Sequence, residues 1–234
     1  MNARVRSIAT GAAVVGGVAA ASYAALVASA WTRYGHAHAP STFPDPLLDR
    51  FMPTYDVEER HTIRILAPPD IVFRNAYQMD LTRSAITRAI FKTRELTLGG
   101  AADRTPRPAG LVPLTMSLGW GVLAEVPDRE IVMGAATQPW QPNPVFRPIA
   151  PDEFAAFNQP DHVKIVWTLR VEPLNDRESL FLTDTRATTT DANARAKFRR
   201  YWSLVSPGVV LIRRLSLGPL KAAAERAFRG DQNR

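Results

Sequence analysis

The stretch TDTRATTTDANARAKFRRYW, residues 183–202, changes character in its middle and decides the predicted fold. Its first half completes the run ESLFLTDTRATTT (178–190), which is typical of a β-strand. Its second half begins at Asp191, a residue type that caps helix N-termini well, and carries Phe198 and Trp202 at helical spacing. The stretch therefore predicts a final strand that passes directly into a long C-terminal helix.

The chain before this junction predicts an antiparallel sheet. Residues 162–174, HVKIVWTLRVEPL, alternate strictly and place Trp167 in the middle of an apolar face. Further strands are predicted at 55–69, 119–127 and 129–137, with two helices ending near residue 96 and a loop over 97–118. This order predicts an α+β fold in which the sheet buries its apolar face against the C-terminal helix. Pro207 predicts a kink or a break in that helix.

The N-terminus has the composition of a membrane segment. Twenty-six residues without a formal charge separate Arg6 from Arg33, and about 20 apolar residues suffice to span a bilayer. A cleavable secretory signal is the alternative, with ASA at 28–30 as its small-residue site. We expect a single-pass membrane protein whose soluble domain lies outside the cytoplasm. The predicted parts are an anchor or signal (1–34), a proline-rich linker (35–54), the folded domain (55–229) and a tail (230–234).

Composition excludes several classes of site. The chain has no cysteine, which removes disulfides, thiolate metal ligands and cysteine nucleophiles. It also lacks the HExxH, Walker and GxSxG motifs, and its paired carboxylates are merely adjacent in sequence, so no catalytic residues, metal site or cofactor are predicted.

Positive charge is concentrated in the C-terminal helix. From Ala192 onward ten basic residues face two acidic ones, while the whole chain has a net charge of +7. With an anchored domain, the expected partner of this helix is a surface of anionic lipid headgroups, and a solvated helix face is the alternative. Nucleic acid is not expected, because the basic residues lack interleaved exposed aromatics.

Two segments carry a resemblance to a known family. DRFMPTYDVEERHTIRILAPPDIVF (49–73) and FLTDTRATTTDANARAKFRRYWSLVSPGVVLIRR (181–214) resemble the first strand and helix and the last strand and helix of START-like (SRPBCC, polyketide cyclase/dehydrase-like) bacterial proteins. The resemblance covers roughly residues 48–228. It implies a helix-grip fold, in which the sheet wraps around the kinked C-terminal helix and encloses an apolar cavity. Members of that superfamily bind lipids, sterols, polyketides or hormones, and some are cyclases or dehydratases.

The predicted ligand-binding residues are those expected on the inner wall of that cavity. They are Trp120, Met133, Trp167, Asp184, Arg186, Phe198 and Trp202. For the aromatic residues the alternative is ordinary core packing. Asp184 and Arg186 share one face of their strand, and either form a solvent-exposed ion pair or point inward, where Arg186 would bind an acidic ligand head.

These observations predict a membrane-tethered, non-catalytic binding protein for a hydrophobic or amphipathic small molecule of lipid, polyketide or isoprenoid type. Two alternatives remain open. One is a cyclase or dehydratase that uses Asp184, Arg186 or His61 as its polar group. The other is a structural or interaction module whose core is filled.

Overall fold

The computed structural model describes residues 3–36, 43–80 and 108–232. Its elements, in chain order, are α1 (Ala3–Arg33), α2 (Pro46–Asp49), β1 (Val57–Ile65), α3 (Pro69–Tyr77), α4 (Leu111–Ser117), β2 (Gly121–Val126), β3 (Glu130–Thr137), β4 (Val163–Asn175), β5 (Glu178–Thr189) and α5 (Ala192–Gln232). The second predicted helix, over 81–96, lies outside the described residues, as does most of the predicted loop. The end of that loop is helical, because it contains α4.

The five strands form one antiparallel sheet in the order β1-β5-β4-β3-β2. Strands β2 to β5 pair with their neighbours in sequence: short turns join β2 to β3 and β4 to β5, and residues 138–162 join β3 to β4. β1 pairs with β5 along its whole length, from Val57 opposite Ala187 to Ile65 opposite Ser179. The predicted α+β class, with an antiparallel sheet followed by a long C-terminal helix, is confirmed.

One face of the sheet, called the inner face, packs against α5. Trp167 of β4 lies on this face, as its alternation predicted. Asp191 caps α5, because its Oδ1 accepts a hydrogen bond of 2.7 Å from the N–H of Ala194. α5 runs unbroken through Pro207, so the predicted break is wrong. Packing of α5 between the sheet and α1 offsets the one backbone hydrogen bond that proline removes.

The opposite, outer face of the sheet is covered by residues 43–56, which we call the strap. Pro46 lies in the first turn of α2, where its missing N–H costs nothing. The strap buries Leu48, Phe51 and Met52 in a second hydrophobic core, together with Leu123, Val132, Phe154 and Val166 of the sheet side. Residues 43–54, part of the predicted linker over 35–54, therefore pack against the sheet, while residues 37–42 lie outside the described residues.

Helix α1 runs antiparallel to α5 and contacts it along its C-terminal half. The Tyr23 hydroxyl donates to the carbonyl oxygen of Leu204, and the Arg199 guanidinium donates to the carbonyl of Trp31 at 3.0 Å. The same guanidinium lies 4.2 Å from the centroid of the Trp31 ring. Across the described part of the chain, none of the helices is both long and apolar enough to cross a membrane.

Candidate functional site

A cavity of about 370 Å³ lies between the inner face of the sheet and α5. We call it the inner cavity, and its volume falls in the range of small-molecule sites in proteins. Most of its lining is apolar, and the aromatic members of that lining are Trp120, Phe146, Trp167, Phe181, Phe198, Tyr201 and Trp202. Such a lining suits a flat or chain-like hydrophobic molecule.

The aromatic side chains form two groups on facing walls of the inner cavity. On the sheet side, Trp120 stacks on Phe146 with ring centroids 5.1 Å apart and meets Trp167 edge-on at 6.5 Å. On the helix side, the Phe198 ring lies 5.9 Å from that of Trp202. Four of the seven predicted site residues, all of them aromatic, therefore line one cavity.

Met133 lies on the inner face but not in the cavity wall. It sits opposite Trp167 in the register of β3 and β4, and its side chain is completely buried in the main hydrophobic core. Met133 therefore supports Trp167 from the neighbouring strand, without presenting a surface to the cavity.

Asp184 and Arg186 lie on the outer face, away from the inner cavity. The cavity lining takes Thr183 and Thr185 from the other side of β5, as strand alternation requires. Asp184 and Arg186 are 3% and 4% exposed, because the strap covers them. Both alternatives for this pair are thus wrong: the side chains neither point into the cavity nor face solvent.

The two side chains belong to an ion network beneath the strap. Arg60 donates to Asp184 Oδ2 at 2.5 Å, and Arg186 donates to Asp49 Oδ1 at 2.5 Å. Glu58 accepts from both Arg60 and Arg186, at 3.0 and 3.3 Å. Burial raises the pKa of Asp184 to about 6, although the Arg60 hydrogen bond opposes that rise. The network fixes the strap to the sheet, and it holds two of the three polar groups proposed for a cyclase or dehydratase away from the cavity.

Arg213 is the charged residue that lines the inner cavity. It extends from α5 to β5, where its guanidinium donates to Thr183 Oγ1 at 3.1 Å and to Thr185 Oγ1. Among the described residues, no carboxylate lies within ion-pair distance of it. Burial lowers the pKa of Arg213, while the negative charges of Asp184 and Glu59 act in the opposite direction. The cavity therefore contains a half-buried cation whose direct partners among the described residues are two hydroxyl groups.

The sequence contains a signal for Arg213 besides its positive charge. Trp202, Val209, Arg213 and Leu217 follow one another at spacings of seven, four and four residues, which place them on one helix face. An arginine inside an apolar helical stripe is a candidate for a buried charge. Arg213 is also one of the ten basic residues of the C-terminal helix, and the net charge of that helix does not show that Arg213 lies in an apolar stripe.

Two further titratable residues lie on the inner face of β1. Glu59 and His61 sit opposite Thr185 and Thr183 in the strand register. Burial, followed by the charges of Arg213 and its neighbour in sequence, lowers the pKa of His61 to about 4, so the imidazole is neutral at pH 7. Its Nε2 is buried and has no hydrogen-bond partner among the described residues. His61 does not line the inner cavity, and no group of three possible metal ligands occurs in the described ranges.

A second cavity, of about 570 Å³, lies between α1, β1 and α5. Its wall includes Tyr23 and Leu26 of α1 and Leu211 of α5, and its charged side chains among the described residues are Arg33, Asp56, Glu58, Glu59 and Arg214. Arg214 therefore faces a different space from Arg213, although the two are adjacent in sequence. This difference makes Arg214 a matched control for substitutions of Arg213.

No family model matches the sequence, and no curated protein matches it. Among solved structures, similarity extends to a hypothetical protein from Helicobacter pylori, which is 9% identical over 81% of this chain and 99% of its own, with a TM-score of 0.38. A protein from Chromobacterium violaceum is 15% identical over 72% and 96% of the two chains, with a TM-score of 0.29. An aromatase/cyclase from Streptomyces is 13% identical over 73% and 94%, with a TM-score of 0.22. Since all three TM-scores lie below 0.5, the description of fold and site rests on the geometry of this chain.

Proposed function

We propose that the protein is a START-like, helix-grip protein that binds a hydrophobic or amphipathic small molecule in the inner cavity and does not catalyse a reaction. The observation that carries this proposal is the inner cavity itself, about 370 Å³ of space between sheet and helix with seven aromatic side chains in its wall. The order of strand, helices, antiparallel strands and long C-terminal helix supports the helix-grip assignment. A structural module with a filled core would leave no such space.

A cavity-filling substitution tests this function. Leu217 lines the inner cavity, whereas Leu215, on the same helix, is 40% exposed and lines neither cavity. We expect the full-length protein and its Leu215→Trp variant to carry a small-molecule adduct in native mass spectrometry. The Leu217→Trp variant should lose the adduct, because the larger side chain occupies ligand space. Equal adducts in both variants, or none in the parent protein from several expression hosts, would contradict the proposal.

Membrane tethering belongs to the same proposal and rests on the sequence. Its support is the charge-free stretch between Arg6 and Arg33, together with the basic residues of α5 that would face anionic lipid headgroups. Membrane fractionation of the full-length protein tests the attachment. A reporter fused after residue 234 tests the sidedness, and reporter activity in the cytoplasm would contradict an extracytoplasmic domain.

A further inference from the structure

The ligand class can be narrowed from the polar part of the inner cavity. We infer that the cavity takes an acidic amphipathic molecule, whose carboxylate or phosphate head is bound by Arg213 together with the hydroxyl groups of Thr183 and Thr185. This inference rests on the proposed function, ligand binding in the inner cavity, and adds a chemical identity to the ligand.

The first argument is the arrangement of hydrogen-bond donors. A guanidinium carries five N–H donors, and Arg213 directs one nitrogen to Thr183 Oγ1 and another to Thr185 Oγ1. Each hydroxyl that accepts from Arg213 keeps its own hydrogen to donate. Neither hydroxyl has an acceptor for that hydrogen among the described residues, and both threonines line the cavity. The cavity thus presents the Arg213 guanidinium beside two hydroxyl groups that can also donate, with no carboxylate paired to them among the described residues, and such a set of donors recognises a carboxylate or a phosphate.

The second argument is the missing counterion. A buried cation without an anionic partner destabilises a protein, so buried charges are normally paired. Arg186, on the outer face of the same strand, follows this rule, with Asp49 Oδ1 at 2.5 Å and Glu58 Oε1 at 3.3 Å. Arg213 departs from it in the described part of the chain. An anionic ligand head would supply the charge that the protein itself does not place there.

The third argument is the polarity of the cavity across the sheet. Thr183 and Thr185 belong to β5, next to the β1 edge, whereas Trp120 precedes β2 at the opposite edge. Three strand spacings separate β5 from β2, or about 14 Å. The cavity therefore has its charged donors on one side and its stacked aromatic rings on the other. A molecule with an acidic head and an apolar body of this length matches both sides.

The test compares ligands that differ only in the head. Dodecanoate and dodecyl phosphate carry the acidic heads, dodecanamide is the neutral counterpart, and dodecyltrimethylammonium carries the opposite charge. Tryptophan fluorescence of the full-length protein, freed of co-purified ligand, reports binding, because Trp120, Trp167 and Trp202 line the cavity. We expect at least one acidic probe to bind roughly tenfold to a hundredfold more tightly than dodecanamide. The carboxylate and phosphate probes then distinguish the two kinds of acidic head.

Three variants assign the preference to Arg213. Arg213→Met keeps a long apolar side chain but removes the charge, and it should bind acidic and neutral probes equally. Arg213→Lys keeps the charge but loses the fork of donors, so it should retain part of the preference. Arg214→Met removes the adjacent charge, which lines the other cavity, and should behave like the parent protein. Thermal unfolding of each variant accompanies the titrations.

The outcomes separate the inference from the function on which it rests. If the parent protein binds dodecanoate, dodecyl phosphate and dodecanamide with equal affinity, the cavity binds ligands but the inferred acidic class is wrong. If Arg213→Met weakens all probes equally and lowers the melting temperature, Arg213 only attaches α5 to β5, and the inference is wrong. If no probe binds and no adduct co-purifies, the proposed function fails and the inference fails with it.

Discussion

Each face of the sheet has an arginine side chain at β5, but the two arginines differ in whether carboxylates surround their charge. On the outer face, Arg186 lies among carboxylates of the strap and of β1. On the inner face, the side-chain partners of Arg213 among the described residues are the hydroxyls of Thr183 and Thr185. One strand therefore separates an ion network from a cation that has no carboxylate within ion-pair distance in the described part of the chain. The same residue type therefore fixes the strap to the outer face of the sheet and, on the inner face, provides a positive charge that an anionic ligand could bind.

The largest expected effect is on stability at the outer face. Arg186→Met removes one cation from a buried network and leaves Glu58 and Asp184 with Arg60 alone. Breaking a buried ion pair in this way costs about 3–5 kcal/mol in free energy of unfolding. Arg213→Met should stay within about 1 kcal/mol of the parent protein or exceed it, because the substitution breaks no ion pair among the described residues and removes a half-buried charge that has no anionic partner there. Urea unfolding of both variants provides the measurement.

Similar losses of unfolding free energy in Arg186→Met and Arg213→Met would contradict this difference between the two faces. They would mean that Arg213 stabilises the fold as much as Arg186 does, so that its two threonine contacts replace a counterion. A loss at Arg213 that exceeds the loss at Arg186 would reverse the assignment of the structural and the ligand-binding arginine.

A second prediction concerns the strap that makes the outer face different. Leu48 is completely buried in the outer core, so Leu48→Ala should lower the free energy of unfolding by about 2–5 kcal/mol. Leu174→Ala, at a position that is 42% exposed, provides the matched control and should stay within about 0.5 kcal/mol of the parent protein. Thermal or urea unfolding checks both. Equal stability of the two variants would mean that residues 43–54 do not stabilise the fold and act as a linker.

The sequence predicted which side chains of β5 share a face better than it predicted which of the two faces packs against α5. Alternation along β5 separated Asp184 and Arg186 from Thr183 and Thr185 without any structure. It could not show which side meets α5, because a strand with polar residues on both sides has no obvious buried face. The strap resolves this ambiguity, since a covered outer face can hold charged residues as long as they are paired.

The strap and Arg213 escaped the sequence analysis for two different physical reasons. The many prolines of 35–54 are typical of a linker, but Leu48, Phe51 and Met52 have the spacing of one helical face, and the sheet supplies the surface they bury against. Arg213 is one of many basic residues in one helix. Their net charge indicates which partners the helix could bind, but it does not show which of these side chains is buried. Only the position of β5 opposite that helix distinguishes Arg213 from Arg214.

The last prediction is a dependence of stability on pH that originates at the outer face. Glu130 of β3 lies beside Asp45 of the strap, and burial, followed by the charge of Asp45, raises the pKa of Glu130 from 4.5 to about 8. The folded protein therefore binds this proton more tightly than the unfolded chain does. The resulting contribution to stability is fully present below about pH 4.5 and is lost as the pH rises through about 8.

Melting temperatures measured between pH 5 and pH 9 test this dependence. The parent protein should lose stability with rising pH relative to Glu130→Gln, whose neutral amide cannot ionise. Glu125→Gln, at an exposed position of β2, should follow the parent protein. Parallel pH profiles for the parent protein and Glu130→Gln would show that ionisation of Glu130 does not change the stability of the fold. A difference would mean that the outer face also contains an incompletely paired charge, of opposite sign to that of Arg213, and that ionisation of Glu130 loosens the strap where Asp45 begins α2.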